Sequence, residues 1–293
     1  MGAYHSGSLA VQERFGVRDL AAHVGRSITP GIRPVAAAFL EAQPMLVIGA
    51  ADPGGRVWSS LLTGAPGFAR ATGPHTVSVA GGVPAHDPLA AAVTAAGTPV
   101  GTIALDPRTR RRMRLNGTAR PSARGLAIEA EQVFSNCPKY LQKRELYDSG
   151  AARPESGAVR HGEALTPDQV RRVRAADTFF VATAAPDGVD TSHRGGNPGF
   201  VRVGSPRELS WRDYPGNAMF LTLGNLEEDG RAGLLFLDWE TGTTLQLSGL
   251  AHTEYGPEGR LVRFRVDRTA ETPAGSPLRW SAPEYSPANP STP

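Results

Sequence analysis

Hydrophobic and polar positions divide this chain into two stretches with the same rhythm. At the start, Leu9, Val11, Phe15, Leu20 and Val24 fall at loosely helical spacing, which predicts a helix across residues 8–25. A short apolar helix at 35–42 follows Gly31 and Pro34. Period-two runs then predict strands at 45–51, 56–63 and 75–80. A helix at 87–96 comes next, with Asp87 as N-cap and Pro88 in its first position, followed by strands at 99–105, 111–119 and 125–133. The second stretch repeats the order. Strands at 177–184, 200–203 and 208–213 precede a helix near 218–226, and strands at 231–238, 243–251 and 260–267 complete it.

The likeness extends to residue identity at a constant offset of 132 positions. That shift superposes Gly64, Pro66, Gly67 and Phe68 on Gly196, Pro198, Gly199 and Phe200, and Gly101, Leu105, Asp106 and Thr109 on Gly233, Leu237, Asp238 and Thr241. It also places Leu115, Gly117 and Ala119 on Leu247, Gly249 and Ala251. Three patterns agreeing in one register imply a tandem duplication, each copy a six-stranded antiparallel barrel with a helix after its third strand. The expected organisation is N-terminal helices plus a first barrel over 1–147, a polar Gly- and Pro-containing linker over 148–164, a second barrel over 165–280, and a disordered Pro-rich tail over 281–293. LTPDQV opens a helix with Thr166 as N-cap and Pro167 at its first position.

Composition narrows the setting. The chain has 293 residues, 40% of them hydrophobic, enough for two cores, and a net charge of +3 carried almost wholly by arginine. That modest excess fits an anionic small molecule better than nucleic acid, and the dense run 108–114 reads as the solvated turn and outer face of a strand. One cysteine excludes an internal disulfide framework, and no Cys/His spacing resembles a metal site. With no secretory pattern at the N-terminus and no membrane-length apolar run, a cytoplasmic protein without membrane partners is the expectation.

Duplication allows the copies to be compared. Where the second has His193, Arg194 and Gly195, the first has Leu61, Leu62 and Thr63; Asn217 answers to Ala85, Thr222 to Ala90, and Gln246 to Arg114. Polar groups at apolar positions of a barrel need partners, and a ligand would supply them. Arg194 offers a fork of donors for phosphate, Gly195 and Gly196 admit backbone N–H groups to an anion, and Asn217 and Thr222 stand at a helix start that favours negative charge. Gln246 can donate and accept at the edge of a heteroaromatic ring. Each residue also has a plain structural role open to it: His193 as a packed or surface histidine, Asn217 as a turn cap, Gly195–Gly196 as a bulge. Cys137, before Pro138, reads either as a reactive thiol or as an inert packed one. Lys139, Tyr140 and Arg144 face either the cleft between copies or solvent.

The run SHRGGNPGFVRV, with DYPGN-x-MF-x-TLGNL and RAGLLFLDWETG-x-T-LQLSG after it, resembles the pyridoxamine 5'-phosphate oxidase-related proteins of the flavin-binding split-barrel superfamily. It looks most like a bacterial branch with two such modules, in which EQVFSNCPKYLQKREL (131–146) also resembles a recurring segment, and the likeness spans Gly7 to Trp280. The resemblance implies a mainly β fold of tandem split β-barrels binding FMN, usually at a dimer interface. It places the phosphate-binding arginine on Arg194 with Ser192, His193 and Gly195 around it, the ring-contacting glutamine on Gln246, and the turn and helix-start positions on Tyr214, Asn217 and Thr222. The family's lysine pair is absent, with Leu221 and Thr222 near those places, and Ala218 stands where the branch often has Asn.

The implied function is an FMN-dependent oxidoreductase acting on a small-molecule substrate with a nicotinamide donor, as a monomer with an internal pseudo-dimer or as a homodimer. His193 and Cys137 are the candidate catalytic side chains. A deazaflavin in place of FMN, a flavin- or haem-binding carrier or sensor, and a cofactor-independent biosynthetic enzyme reusing the cleft remain open.

Overall fold

Three helices, α1 (Ser6–Arg14), α2 (Arg18–Gly25) and α3 (Pro34–Glu41), precede the first strand in the computed structural model, which describes residues 3–148, 157–186, 188–257 and 259–291. The first two replace the single helix expected over 8–25, because the chain turns at Gly16 with a φ of +62°. The first barrel then comprises β1 (Met45–Ala51), β2 (Val57–Thr63), β3 (Ala69–Ala71), β4 (Thr76–Ala80), the one-turn helix α4 (Ala90–Val93), β5 (Thr98–Asp106), β6 (Arg111–Ser122) and β7 (Gly125–Ser135). Helix α4 is shorter than the expected 87–96, and the Thr94 and Thr98 hydroxyls donate to its last carbonyls.

Two short strands, β8 (Leu146–Asp148) and β9 (Arg160–Gly162), and helix α5 (Pro167–Ala175) lead into the second barrel. It comprises β10 (Thr178–Ala185), β11 (Gly188–Gly195), β12 (Val201–Ser205), β13 (Glu208–Arg212), α6 (Leu221–Glu228), β14 (Arg231–Leu237), β15 (Thr244–Gly256) and β16 (Gly259–Thr272); β17 (Arg279–Trp280) pairs with β8. Helix α5 opens as its sequence predicts, on a capping box in which Thr166 Oγ1 accepts from Gln169 N and Gln169 Oε1 accepts from Thr166 N.

The chain is mainly β, a tandem of split barrels. The sheets pair in the orders β2-β1-β5-β6-β7-β4-β3 and β11-β10-β14-β15-β16-β13-β12, the same topology twice, with β9 added to β16. Each copy thus has seven strands rather than six. Apolar alternation reveals β2 but not its counterpart β11, and β12 but not its counterpart β3, so each copy supplies the strand missed in the other. The offset of 132 is observed directly, since β4 and β13 correspond residue for residue and both barrels break register at the same place, Asn116/Gly117 and Ser248/Gly249. The repeated Leu-Asp-x-x-Thr is turn chemistry: Asp106 accepts from Arg108 N and Thr109 Oγ1, and Asp238 from Glu240 N and Thr241 N.

Each barrel has its own apolar core, one around Leu46, Ile48, Leu115 and Ile128, the other around Phe179, Trp211, Leu234 and Phe264. A third cluster joins them, with Val47, Leu61, Ile103 and Leu105 facing Phe180, Leu235 and Leu237. The joint is reciprocal. A Cβ on Gly101 would lie 2.7 Å from the Asp190 backbone, and one on the equivalent Gly233 would lie 2.5 Å from the backbone of Trp58, the equivalent of Asp190. Close approach at matched positions is the pattern of an isologous interface made within one chain.

Beyond β7, residues 136–145 cross from the first barrel onto the second and hold the C-terminal tail. Gln142 Oε1 accepts from Ser286 N at 2.8 Å and Asn289 Nδ2 at 3.0 Å, and Lys143 and Glu284 form an antiparallel bridge. The expectation of a disordered tail is therefore corrected over its described residues: proline removes N–H donors, but buried Gln142 supplies the partners that tie the segment down. Of the expected linker, 149–156 lie outside the described residues, while Arg160–Gly162 adds a short strand to the second sheet. Among the described residues no helix is long and apolar enough to cross a membrane.

Candidate functional site

The side chains that differ between copies meet residues of the other copy in a cleft at the joint. Strand β11 brings Ser192, His193, Arg194 and Gly195; the stretch between β13 and α6 brings Asp213, Tyr214 and Asn217; and α6 brings Thr222. The first barrel closes the cleft with Ile103 from β5, Arg112 and Arg114 from β6, and Asn136, Cys137, Lys139 and Tyr140 from the crossing segment. These residues surround a cavity of about 110 Å³.

Arg112 and Arg114 are the residues that sequence reasoning misses. Rather than sitting on the solvated face expected for 108–114, Arg114 is buried and ion-paired with buried Asp190 across the joint. Arg112 donates from Nη1 to His193 Nδ1 at 2.6 Å and from Nη2 to the Cys137 carbonyl at 2.7 Å. The available signal was alternation. Arg112 and Arg114 share one face of β6, whose other face carries Met113 and Leu115 into the first core. Arg108 pairs with Asp106, and Arg110 reaches the Leu141 carbonyl and Glu284, so these two do belong to the turn and its surroundings.

Arg194 is already engaged. Its Nη1 donates to Ser192 Oγ at 2.8 Å and to the His193 carbonyl, and its Nη2 meets Asp213 at 3.3 Å, a carboxylate that also receives Arg260. Ser192 and Thr222 share a hydrogen bond of 3.0 Å, and Thr222 Oγ1 reaches Asp190 at 3.5 Å. A polar chain thus runs from Arg194 to the carboxylate that pairs with Arg114. Asn217 lines the cavity while its Oδ1 accepts from Met219 N, so its turn-capping role is present as well.

Gln246 does not join this group. Its amide donates to the Ser59 carbonyl, Ser60 Oγ and Asp87 Oδ2 at 2.9–3.1 Å, on the opposite side of the joint. The reason is geometric. Each half-site combines β2 or β11 of one barrel with β6 or β15 of the other, so Gln246 faces Ser60 just as its equivalent Arg114 faces the Ser192 side. Gly195 lines the cavity and has a structural use as well. A Cβ there would lie 1.9 Å from the Tyr140 carbonyl, so the residue admits the crossing segment, and a Cβ on Gly196 would strike Phe200. Arg144 also faces away, paired with Asp177 at 2.6 Å.

Among the residues that line the cavity, Arg112 Nε, Arg114 Nε, Arg194 Nε, His193 Nε2 and Asn136 Oδ1 are buried and have no hydrogen-bond partner in the protein. Leaving such groups unpaired costs about 1–3 kcal/mol each. Burial, then neighbouring Arg194 and Arg114, push Arg112 down to about 9, and burial depresses Arg194 although Asp213 opposes it. Burial, Arg112 and Arg194 hold His193 well below the usual histidine range, which leaves the imidazole neutral. The environment is cationic and crowded. Tyr140 and Tyr214 cover it with ring centroids 5.1 Å apart, and Tyr140 OH donates to the Pro215 carbonyl. Three non-glycine residues in its wall, Tyr140, Ala218 and Phe220, have φ between +54° and +65°, a concentration of backbone strain at one place.

No family model and no curated protein matches this chain. Among solved structures it is similar to HupZ from Group A Streptococcus, at 14% identity and a TM-score of 0.29 over 35% of this chain and 90% of that one. It is also similar to an FAD binding protein from Mycobacterium smegmatis, at 13% identity and a TM-score of 0.27 over 39% and 98% of the two chains. A candidate pyridoxamine 5'-phosphate oxidase from Corynebacterium glutamicum shares 10% identity, with a TM-score of 0.29 over 41% and 98%.

Proposed function

We propose that the cleft between the barrels binds the phosphate of FMN and that the protein is a flavin-dependent oxidoreductase of small molecules. The observation that carries this reading is the gathering, in the residues that line one cavity, of buried side-chain nitrogens without a protein partner, from Arg112, Arg114, Arg194 and His193. Their chemistry suits phosphate oxygens, which only accept hydrogen bonds at full ionisation. The volume of about 110 Å³ suits a phosphate-sized group, whereas drug-sized ligands occupy roughly 300–1,000 Å³. The flavin ring would then lie outside this volume, toward the open side of the cleft. When bound, a flavin supplies hydride or electron transfer, with a nicotinamide as donor. The chain's own residues would hold the phosphate through Arg112, Arg114 and Arg194, orient Ser192 and Thr222 beside it, and shield the cleft with the two tyrosines.

The cavity size favours a second reading, a compact anionic ligand and no flavin. Equilibrium titration with FMN, followed by flavin absorbance and fluorescence, separates the two. Stoichiometric FMN uptake, or a yellow chromophore in the isolated protein, supports the first. Saturable binding of inorganic phosphate without FMN uptake supports the second.

A further inference from the structure

The contact between Arg112 and His193 fixes a proton. A guanidinium has only donors, so at 2.6 Å His193 Nδ1 must be the acceptor and its ring proton must sit on Nε2. That atom is buried and has no protein partner, and His193 is one of the residues that line the cavity. We propose that Arg112 is a positioning residue that locks His193 in the neutral Nε2–H tautomer, so that His193 presents a hydrogen-bond donor, not a base, to an acceptor oxygen of an anionic ligand.

The groups packed around the ring support this assignment. From the first barrel come Arg112, Arg114 and the crossing segment with Cys137 and Tyr140; from the second come Arg194 and Asp213, whose carboxylate is held by Arg194 and Arg260. Asp190, the other nearby acid, is paired with Arg114 and receives Asn116 Nδ2. Neither acid is bonded to His193, so nothing there stabilises an imidazolium. Phe180 meets the ring edge-on at 5.9 Å, which completes an apolar side. The equivalent position in the first copy is apolar, since Leu61 belongs to the cluster that joins the barrels. A histidine at this position, oriented by an arginine from the other copy, is a specific device for placing one N–H.

The ligand class follows. A partner for Nε2–H must accept a hydrogen bond, and the three guanidiniums beside it favour an anion, which fits phosphate or carboxylate. This part rests on the reading that the cleft binds an anion, while the tautomer does not depend on flavin.

The test uses full-length ¹⁵N-labelled protein and long-range ¹H–¹⁵N correlation spectra, with His193 assigned by its loss in His193→Gln. Wild type is expected to show the Nε2–H pattern without titrating between about pH 5.5 and 8. An Nδ1–H pattern, or titration near the ordinary value, overturns the proposal. Arg112→Lys keeps a donor and should keep the pattern, whereas Arg112→Met should give mixed tautomers; an unchanged spectrum in the Met variant overturns the positioning role. If circular dichroism shows that variant unfolded, wild type and Arg112→Lys decide. Inorganic phosphate should shift the Nε2 resonance saturably. His193→Gln should hold phosphate within about threefold and His193→Leu should weaken it about tenfold, the loss of one donor. Phosphate that does not bind, or binds without moving Nε2, overturns the ligand assignment. Failure of FMN alone to bind, with the phosphate response intact, sinks the flavin function and leaves this inference standing.

Discussion

Arg114 and Gln246 occupy equivalent positions in the two barrels and close equivalent half-sites in opposite ways. Arg114 pairs with Asp190 in the wall of an open cleft, while Gln246 donates to Asp87, whose carboxylate also receives Ser60 and the Leu89 N–H. Asp87 fills one half-site with the chain's own acceptor, and its equivalent in the other is Met219, which has none to offer. The two halves therefore share a fold and differ in where the carboxylate stands: Asp87 faces Gln246 in one, and Asp190 faces Arg114 in the other.

Exchanging the residue for its sibling tests this. Arg114→Gln leaves Asp190 buried with only Asn116 and Thr222 as partners and is expected to cost about 3 kcal/mol of stability, the range for removing one member of a buried pair. Asp190→Asn added to it should recover much of the loss. Denaturant midpoints of wild type and both variants check this, and a double variant no more stable than Arg114→Gln would show that the pair is not what matters.

His193 gives a pH prediction with a definite sign. Its folded-state value is depressed below that of the unfolded chain, so below about pH 6.5 the unfolded state binds the extra proton and stability falls as pH falls, by up to about 1.4 kcal/mol per pH unit. Replacement by the sibling's residue, His193→Leu, removes this contribution. The stability difference between variant and wild type should therefore widen in the variant's favour from pH 7 toward pH 5, measured by urea unfolding. A difference that stays constant across that range would rule the effect out.

The fold was legible because the chain states it twice. Turn residues such as Asp106 and Asp238, and the shared break in register, repeat at one offset, and a strand obscured in one copy, Gly188–Gly195, is plain in the other as Val57–Thr63. The site was legible only on the side where copies differ. His193 and Arg194 stand out against Leu61 and Leu62, but Arg112 and Arg114 hide in an arginine-rich run that composition assigns to solvent. Gln246 was misplaced for the same reason: a single-copy comparison cannot reveal that each half-site borrows a strand from the other barrel. The tail was misread because its partner, Gln142, lies far away in sequence and no local pattern points to it.

The engagement of Arg194 by Asp213 makes an unusual prediction about affinity. Phosphate and Asp213 compete for the same guanidinium edge, so Asp213→Asn should strengthen inorganic phosphate binding, by about three- to tenfold if one charge-assisted contact is exchanged. Arg260, the other partner of Asp213, is also freed and adds in the same direction. Isothermal titration of wild type and variant checks this. Weaker binding in the variant would mean that Asp213 orients Arg194 rather than occupying it.

Tyr140 and Tyr214 both line the cleft and pack on each other, which makes them the residues to test as its gate. Tyr140 holds a left-handed backbone, bonds the Pro215 carbonyl at 2.9 Å and packs on Tyr214, so the cover is fastened by one hydrogen bond and one ring pair. Tyr140→Phe removes the first and Tyr140→Ala removes both, about 1 kcal/mol each on ordinary values. If opening limits ligand entry, FMN association followed by stopped-flow fluorescence should quicken about fivefold in Tyr140→Phe and more in Tyr140→Ala, because the closed state loses the contacts that define it. A carbonyl still rests on Gly195 in both variants, so the crossing segment keeps its path and the comparison isolates the side chain. Association rates unchanged in both variants would place the entry route elsewhere.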